Sequence, residues 1–232
     1  MTKYPCRIHE IINMLRPCKL ICDIGCDHAY VCIRAVQENK AERAIACDIN
    51  EGPLKRAREN ISEAGLKDRI AICLSDGLKS VEEKPDACTI CGMGGLLIKD
   101  ILSSSPEMLG SIQQMILGPH SEIPELRKFI EEQTEFRIMK EKVMKEQDQF
   151  YVLMDIGKKE NGAVLNWTDD EYLTGKSDLQ SDPQMYHTYL SFLLNKYENA
   201  WKKNNGTSEA ARNRKQELFH IVSVIKKAYG TL

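Results

Sequence analysis

Short apolar runs that end in an acid or a glycine turn, alternating with segments of helical periodicity, constrain this chain more than any other feature. The most telling is Leu20 to Tyr30, LICDIGCDHAY. Leu20, Ile21, Cys22 and Ile24 suit a short buried parallel strand, and Gly25 lets the backbone turn sharply and approach a ligand that a side chain would block. A second run, Ala44 to Cys47, leads into Asp48 and Ile49, where a carboxylate can accept hydrogen bonds from ribose hydroxyls. Two strands, each ending in an acid at the carboxyl edge of a sheet, predict a Rossmann-like nucleoside site.

The missing residues narrow the ligand. A dinucleotide site normally shows G-x-G-x-x-G, so that a pyrophosphate can rest on a helix N-terminus. Here the turn reads G-C-D-H, with one glycine and an acid. An anionic side chain is a poor neighbour for pyrophosphate and a good one for a cation, which points to S-adenosylmethionine, whose sulfonium and amino groups are positive. Asp23, Gly25, Asp27 and His28 are the candidates in this loop. A plain strand-end turn capped by Asp27 would also account for the segment alone, and Asp48 is what tips the balance.

The alternation continues along the chain. Helix Arg7 to Leu15 precedes strand Leu20 to Ile24, helix Tyr30 to Glu38 and strand Arg43 to Ile49. Helix Pro53 to Ala64 follows, with Pro53 suited to a first turn and Gly65 just past the end. Strands Ile70 to Leu74, Ala87 to Cys91 and Gln114 to Leu117, with helices Leu96 to Leu102 and Ile123 to Gln133, lead to two last strands, Arg137 to Met144 and Phe150 to Ile156. This pattern predicts an α/β doubly wound sheet with helices on both faces, closed by an antiparallel pair, in residues 1–158. Residues 159–183 are polar and read as a partly irregular connection. In residues 184–232, Tyr186, Tyr189, Leu190, Leu193, Leu194, Tyr197 and Trp201 make one apolar stripe. After Asn204-Asn205-Gly206, Ala211, Leu218, Ile221, Val222, Ile225 and Tyr229 make another, with Thr207 or Ser208 as N-cap. Two such helices form an antiparallel, coiled-coil-like hairpin.

Charge separates these parts. The hairpin holds eight Lys and Arg against three Glu, a surplus of five, while the whole chain has a net charge of −2, so the remainder carries −7. A basic arm on an acidic domain is suited to gripping phosphate through Lys196, Lys202, Lys203, Arg212, Arg214 and Lys215, although a solvated helical face would carry surplus lysines as well.

Two further turns fall at the same sheet edge. Asp76 and Gly77 in SDGL are placed to contact an adenine amino group or to order their own loop. Gly92, Met93, Gly94 and Gly95 in CGMGG put three glycines at a strand end, a folding cost that close backbone approach would justify. No Lys-Ser/Thr follows, so a phosphate loop is disfavoured. A methyl acceptor, which must meet the donor carbon in line with sulfur, would use the room. His28 and His120 are the histidines nearest this edge, and with Asp27 they are the candidate catalytic groups, although a ring nitrogen attacking a sulfonium methyl needs alignment more than a base.

The nine cysteines fall between Cys6 and Cys91, mostly within strand-like runs, and read as buried thiols. Cys88 and Cys91 have zinc-like spacing, but residues three apart on a strand face opposite sides, so no metal is expected. No apolar run approaches the ~18 residues of a membrane span and no secretory h-region is present, which implies a cytoplasmic protein with no membrane partner.

DIGCDHAY, Asp48 with Gly52-Pro53 following, SDGL, and CGMGG followed by Leu-Leu-Ile, in this order and spacing, resemble the bacterial TrmK family of S-adenosylmethionine-dependent tRNA methyltransferases. The resemblance spans nearly the whole chain. It implies a class I methyltransferase domain followed by a helical hairpin, with tRNA as partner and N1 of adenine 22 as methyl acceptor, in a protein expected to be a monomer. It assigns Asp23, Gly25, Asp27 and His28 to the first cofactor loop, Asp48 to the ribose with Ile49 beside it in the cofactor site, Asp76 and Gly77 to the adenine side, and Gly92 to Gly95 to the loop beneath the methyl donor. The chain departs from the family pattern at Cys26, usually Ser, at Val31-Cys32, usually Leu-Pro, and at Gly118-Pro119-His120, usually Gln-Pro-Asn. A small-molecule methyltransferase and a non-catalytic protein that binds the cofactor or RNA are the alternatives.

Overall fold

Strand β1 (Cys18–Ile24) shows why the apolar runs are continuous rather than alternating. Its side chains enter two different cores: Leu20, Cys22 and Ile24 pack into one, and Ile21 into the other. Only a strand covered on both faces needs such a run. In a computed structural model that describes residues 4–160 and 166–230, β1 is an interior strand, third in a seven-stranded sheet of order β3-β2-β1-β4-β5-β7-β6. Strands β2 (Ala41–Asp48), β3 (Ile70–Leu74), β4 (Ala87–Met93) and β5 (Gln114–Pro119) run parallel to β1. Strand β7 (Gln149–Lys158) is antiparallel to β5, and β6 (Phe136–Glu146) is antiparallel to β7.

Helices α1 (Cys6–Met14), α2 (Tyr30–Gln37) and α3 (Glu51–Glu63) cover one face through Ile11, Ile12, Val36, Leu54 and Ile61. The other face is covered by α4 (Gly95–Ser103) and α6 (Ile123–Gln133), through Ile98, Leu102, Leu126 and Ile130, with the short α5 (Pro106–Leu109) between them in sequence. The expected doubly wound architecture is present. Cys88 and Cys91 belong to opposite faces of β4, as the strand period requires. All nine cysteines are free thiols and five are buried.

The connection is more ordered than its polarity suggests. Residues 161–165 lie outside the described residues, but Thr168 and Glu171 form a reciprocal capping box that starts α7 (Asp169–Thr174). Helix α7 is an ordered part of the partly irregular connection expected over 159–183. Helices α8 (Pro183–Lys203) and α9 (Glu209–Gly230) form the hairpin. Ser208 caps the second helix, its Oγ accepting the Ala211 N–H at 3.2 Å, and Asn204 Nδ2 donates to the Ala211 carbonyl at 3.1 Å. At the root of the hairpin, Tyr186, Tyr189, Leu190 and Ile225 join the core of the sheet domain.

A buried ion pair locks this arrangement. Arg127 on α6 and Glu141 on β6 have side chains only 2% and 0% exposed, and the guanidinium grips the carboxylate at 2.7 and 3.2 Å. Arg127 Nη1 also donates to the carbonyls of Tyr172 and Leu173, while Gln180 Nε2 donates to Glu141 Oε2 at 2.7 Å. Gly175, with φ +88°, passes so close that a Cβ would lie 2.5 Å from Glu141 Oε2, and its carbonyl accepts the Tyr186 hydroxyl at 3.0 Å. One buried charge pair therefore joins α6, β6, α7 and the first turn of α8.

Removing one partner of such a pair strands the other charge in the core. Arg127→Met should lower stability by about 3–5 kcal/mol in urea unfolding, whereas Arg127→Met with Glu141→Leu should lose far less. Equal losses in the single and double variants would contradict this account.

Candidate functional site

The strand order reverses between β1 and β4, so the chain leaves their carboxyl ends in opposite directions and opens a crevice there. The turns around it are stitched together by backbone. Gly25 and Cys26 N–H both donate to the Cys47 carbonyl at 2.9 Å, tying the first turn to the end of β2. Ser75 N–H donates to the Asp48 carbonyl at 2.9 Å, and His120 N–H to the Met93 carbonyl at 3.0 Å. Gly25 has φ +77°, a conformation that L side chains rarely adopt, and Met93 Cε from the β4 turn packs 2.7 Å from where a Cβ would lie, so glycine suits both the turn and the contact.

The glycines of the β4 turn divide their work. Gly94 and Gly95 serve packing, since a Cβ on Gly95 would come within 2.5 Å of the Glu122 carbonyl oxygen. Gly92, with φ +84°, is exposed, and its nearest neighbour is His120 Nε2, 3.7 Å from an added Cβ. Gly77 is likewise a packing glycine, set against Ile101 of α4.

A cavity of about 540 Å³ lies in the crevice. Of the expected residues it is lined by Asp23, Gly25, Asp27, His28, Gly92 and His120. Asp48, Ile49, Asp76, Gly77, Met93 and Gly94 stand outside that lining, at the neighbouring strand ends. Asp48 Oδ1 accepts the Asn50 N–H at 2.8 Å, and Ile49 beside it is 61% exposed. Asp76 is paired with Lys79 of its own turn at 2.5 Å.

Three contributors were not singled out in the sequence. Arg56 on α3 holds Asp27, with Nε 2.9 Å from Oδ1, and Asn60 one turn later donates to the His28 carbonyl at 3.0 Å. The third is the aromatic wall, where Tyr151 of β7 lies 5.9 Å from the His120 ring under the Arg7 guanidinium. The spacing of Arg56 and Asn60 on one helix face is a signal, but nothing local says that the face meets the first loop. His28 lies just before α2, which begins at Tyr30 as expected after left-handed Ala29, and the His28 ring stacks on Tyr30 at 4.9 Å. His28 Nε2 also lies 3.2 Å from Asp27.

Asp23 is the electrostatic centre. It is 7% exposed, and burial pushes its carboxyl up to about 7, against a 2.5 Å hydrogen bond donated by Thr89; the charge of Asp48 adds to the rise. A cation bound here would relieve both the desolvation and the repulsion between the acids. With exposed Ile49 for a base, Asp48 for ribose hydroxyls, and close approach at Gly25 and Gly92, these residues fit S-adenosylmethionine.

On the hairpin, all six candidate basic residues are exposed. Two are neutralised, Lys202 by Glu198 at 3.3 Å and Arg214 by Glu217 at 2.7 Å. Lys196 and Lys215 lie over the Tyr197 and Trp201 rings, and Lys203 and Arg212 complete the remaining positive set.

The raised Asp23 pKa has a definite pH signature. The folded state holds this proton up to about pH 7 whereas an unfolded Asp releases it near its ordinary value, so the Asp23 contribution to stability falls as pH rises between those limits. Asp23→Asn, which cannot ionise, should therefore gain in Tm relative to wild type on going from pH 5 to pH 8. A Tm difference independent of pH would contradict the assignment.

The sequence profile of the family described as tRNA (adenine(22)-N(1))-methyltransferase matches residues 21–227. The tRNA (adenine(22)-N(1))-methyltransferase of Bacillus subtilis is 30% identical over 149 residues, which are 64% of this chain and 62% of that enzyme. Among solved structures, Mycoplasma capricolum TrmK in complex with S-adenosyl-homocysteine superposes with a TM-score of 0.85 at 27% identity, covering 99% of both chains. Streptococcus pneumoniae Sp1610 in complex with S-adenosyl-L-methionine gives a TM-score of 0.83 at 25% identity, covering 97% of this chain and 98% of that one.

Proposed function

The chain belongs to the TrmK family of tRNA (adenine(22)-N(1))-methyltransferases, and from that membership we propose that it transfers a methyl group from S-adenosylmethionine to N1 of adenine 22 in tRNA. The observation that carries the reading is the crevice between β1 and β4, lined by Asp23, Gly25, Asp27 and Gly92, with Asp48 at the adjoining end of β2. When bound, the cofactor supplies a methyl group that leaves its sulfonium as the N1–carbon bond forms, so positive charge passes from sulfur to the base. Asp48 would accept the ribose hydroxyls and Ile49 would cover the adenine, with Asp76 and Gly77 shaping the loop beside it. Asp23 and Asp27 would face the cationic end. Arg56 fixes the Asp27 carboxylate in place and tempers its charge.

His120 and Tyr151, on the far side of Gly92, would hold the target base in line, with His28 near its edge. N1 of a neutral adenine carries a free lone pair, so alignment is the main demand and no proton need leave before attack. His120 or the Asp27–His28 pair would then act by hydrogen bonding to the exocyclic amine as charge enters the ring. Reaching N1 requires the base to leave its stack, at a few kcal/mol, and contacts to the tRNA backbone would offset this. Lys196, Lys203, Arg212 and Lys215 are the candidates for those contacts. One chain supplies every loop of the crevice, so a monomer suffices, and the location of tRNA makes the cytoplasm the proposed place of action.

The reading is tested by incubating purified protein, S-adenosylmethionine and unmodified tRNA transcripts, then digesting to nucleosides for mass spectrometry. 1-Methyladenosine should form in transcripts with adenine at position 22 and not in those with guanine there. Methylation of neither would refute it. If the hairpin grips phosphate, alanine at Lys203, Arg212 and Lys215 should flatten the slope of log Kd against log salt by about 0.7 for each phosphate no longer neutralised. Alanine at the Glu-paired Lys202 and Arg214 should change it less.

A further inference from the structure

A second cavity, of about 320 Å³, lies between the loop after β5, the β6–β7 turn and helices α8 and α9. His120 and Val152 line both this cavity and the crevice, so the two are neighbours on either side of one side chain. Its walls are aromatic. The Phe150 ring lies 4.9 Å from Phe192 and 5.5 Å from Tyr189. Phe192 remains 43% exposed on α8 although Tyr189, one turn before it, is buried in the core.

Charge surrounds these rings in an informative arrangement. Lys145 Nζ sits 5.6 Å from the centre of the Phe150 ring, and Lys196 Nζ 5.6 Å from that of Tyr197. Two acids share the rim: Asp148, 4.0 Å from Lys145, and Glu122, which accepts the Ser121 hydroxyl at 2.5 Å. A phosphate alone would avoid the acids, and an apolar peptide would offer no charged or polar group to Lys196 or Glu122. A nucleotide satisfies all of them, since its base stacks on aromatic faces and offers amines to carboxylates while its phosphate reaches lysine.

We propose that this groove is a stacking site for an unpaired base of the tRNA flanking the target adenosine, with Phe192 as its platform. The inference rests on the functional reading above and adds a second base-recognition site to it. A flipped target leaves a gap in the RNA stack, and a neighbouring base lodged beside His120 would hold that distortion open. Phe192 touches neither the cofactor loops nor the target pocket, so it acts on tRNA binding rather than on methyl transfer.

The test is steady-state kinetics with full-length protein and a tRNA transcript. Phe192→Ala should raise the tRNA KM about tenfold, in line with the loss of one stacked base, and leave kcat and cofactor affinity unchanged. Phe192→Trp should restore the KM. Transcripts carrying single abasic positions on either side of the target should include one that costs wild type the same factor and costs Phe192→Ala nothing further. An unchanged KM, a kcat loss without a KM change, or additive losses at every abasic position would overturn the inference while wild-type methylation of tRNA stands. Absence of methylation by the wild type would overturn the functional reading itself, and the stacking site with it.

Discussion

The meeting of the β1 and β4 turns is the constraint on which the site depends. Parallel strands whose chains depart in opposite directions leave an opening between them, but the opening is useful only if the two turns come close enough to shape it. Gly25 permits that approach, because its φ of +77° is one that L side chains rarely adopt and Met93 Cε packs where a Cβ would lie. The Cys47 carbonyl holds the first turn, and Asp23, Gly25 and Gly92 line one cavity beside it.

The hairpin depends on a different device. A bidentate Arg127–Glu141 pair, finished by carbonyls from α7 and the amide of Gln180, fixes the connecting segment against the sheet. Such a pair contributes little net stability over a hydrophobic equivalent, but its geometry tolerates few alternatives. It thereby sets where α8 departs, and α8 brings Phe192 and Lys196 to the rim of the groove beside His120. The crevice and the arm that would hold tRNA are thus coupled through buried charge as well as through the shared core of Tyr189, Leu190 and Ile225.

The candidate site has an acidic interior and a basic outer arm, and the two act at different ranges. Burial raises the Asp23 carboxyl and the charge of Asp48 adds to the rise, so a bound cation would relieve both. The hairpin lysines are exposed and screened by salt, and ion pairs with Glu198 and Glu217 reduce their number. Composition counted eight basic residues there. Side-chain pairing decides which of them remain available.

The doubly wound sheet, the strand-end acids and the helical hairpin are legible in the order of the residues. These depend on apolar period, on glycine where φ is positive and on charge, all of which are local properties of the chain. The sequence also marked Asp23, Gly25, Asp27, His28, Gly92 and His120, which one cavity collects. The fold adds what no local pattern carries: Gly95 and Gly77 pack against neighbouring elements, Arg56 and Asn60 position the first loop, Arg127 meets Glu141, and Phe192 flanks the crevice. Each of these is a contact between residues on separate elements. Its energy depends on distance and burial, and both arise only when helices settle on a sheet whose strand order is not the order of the sequence.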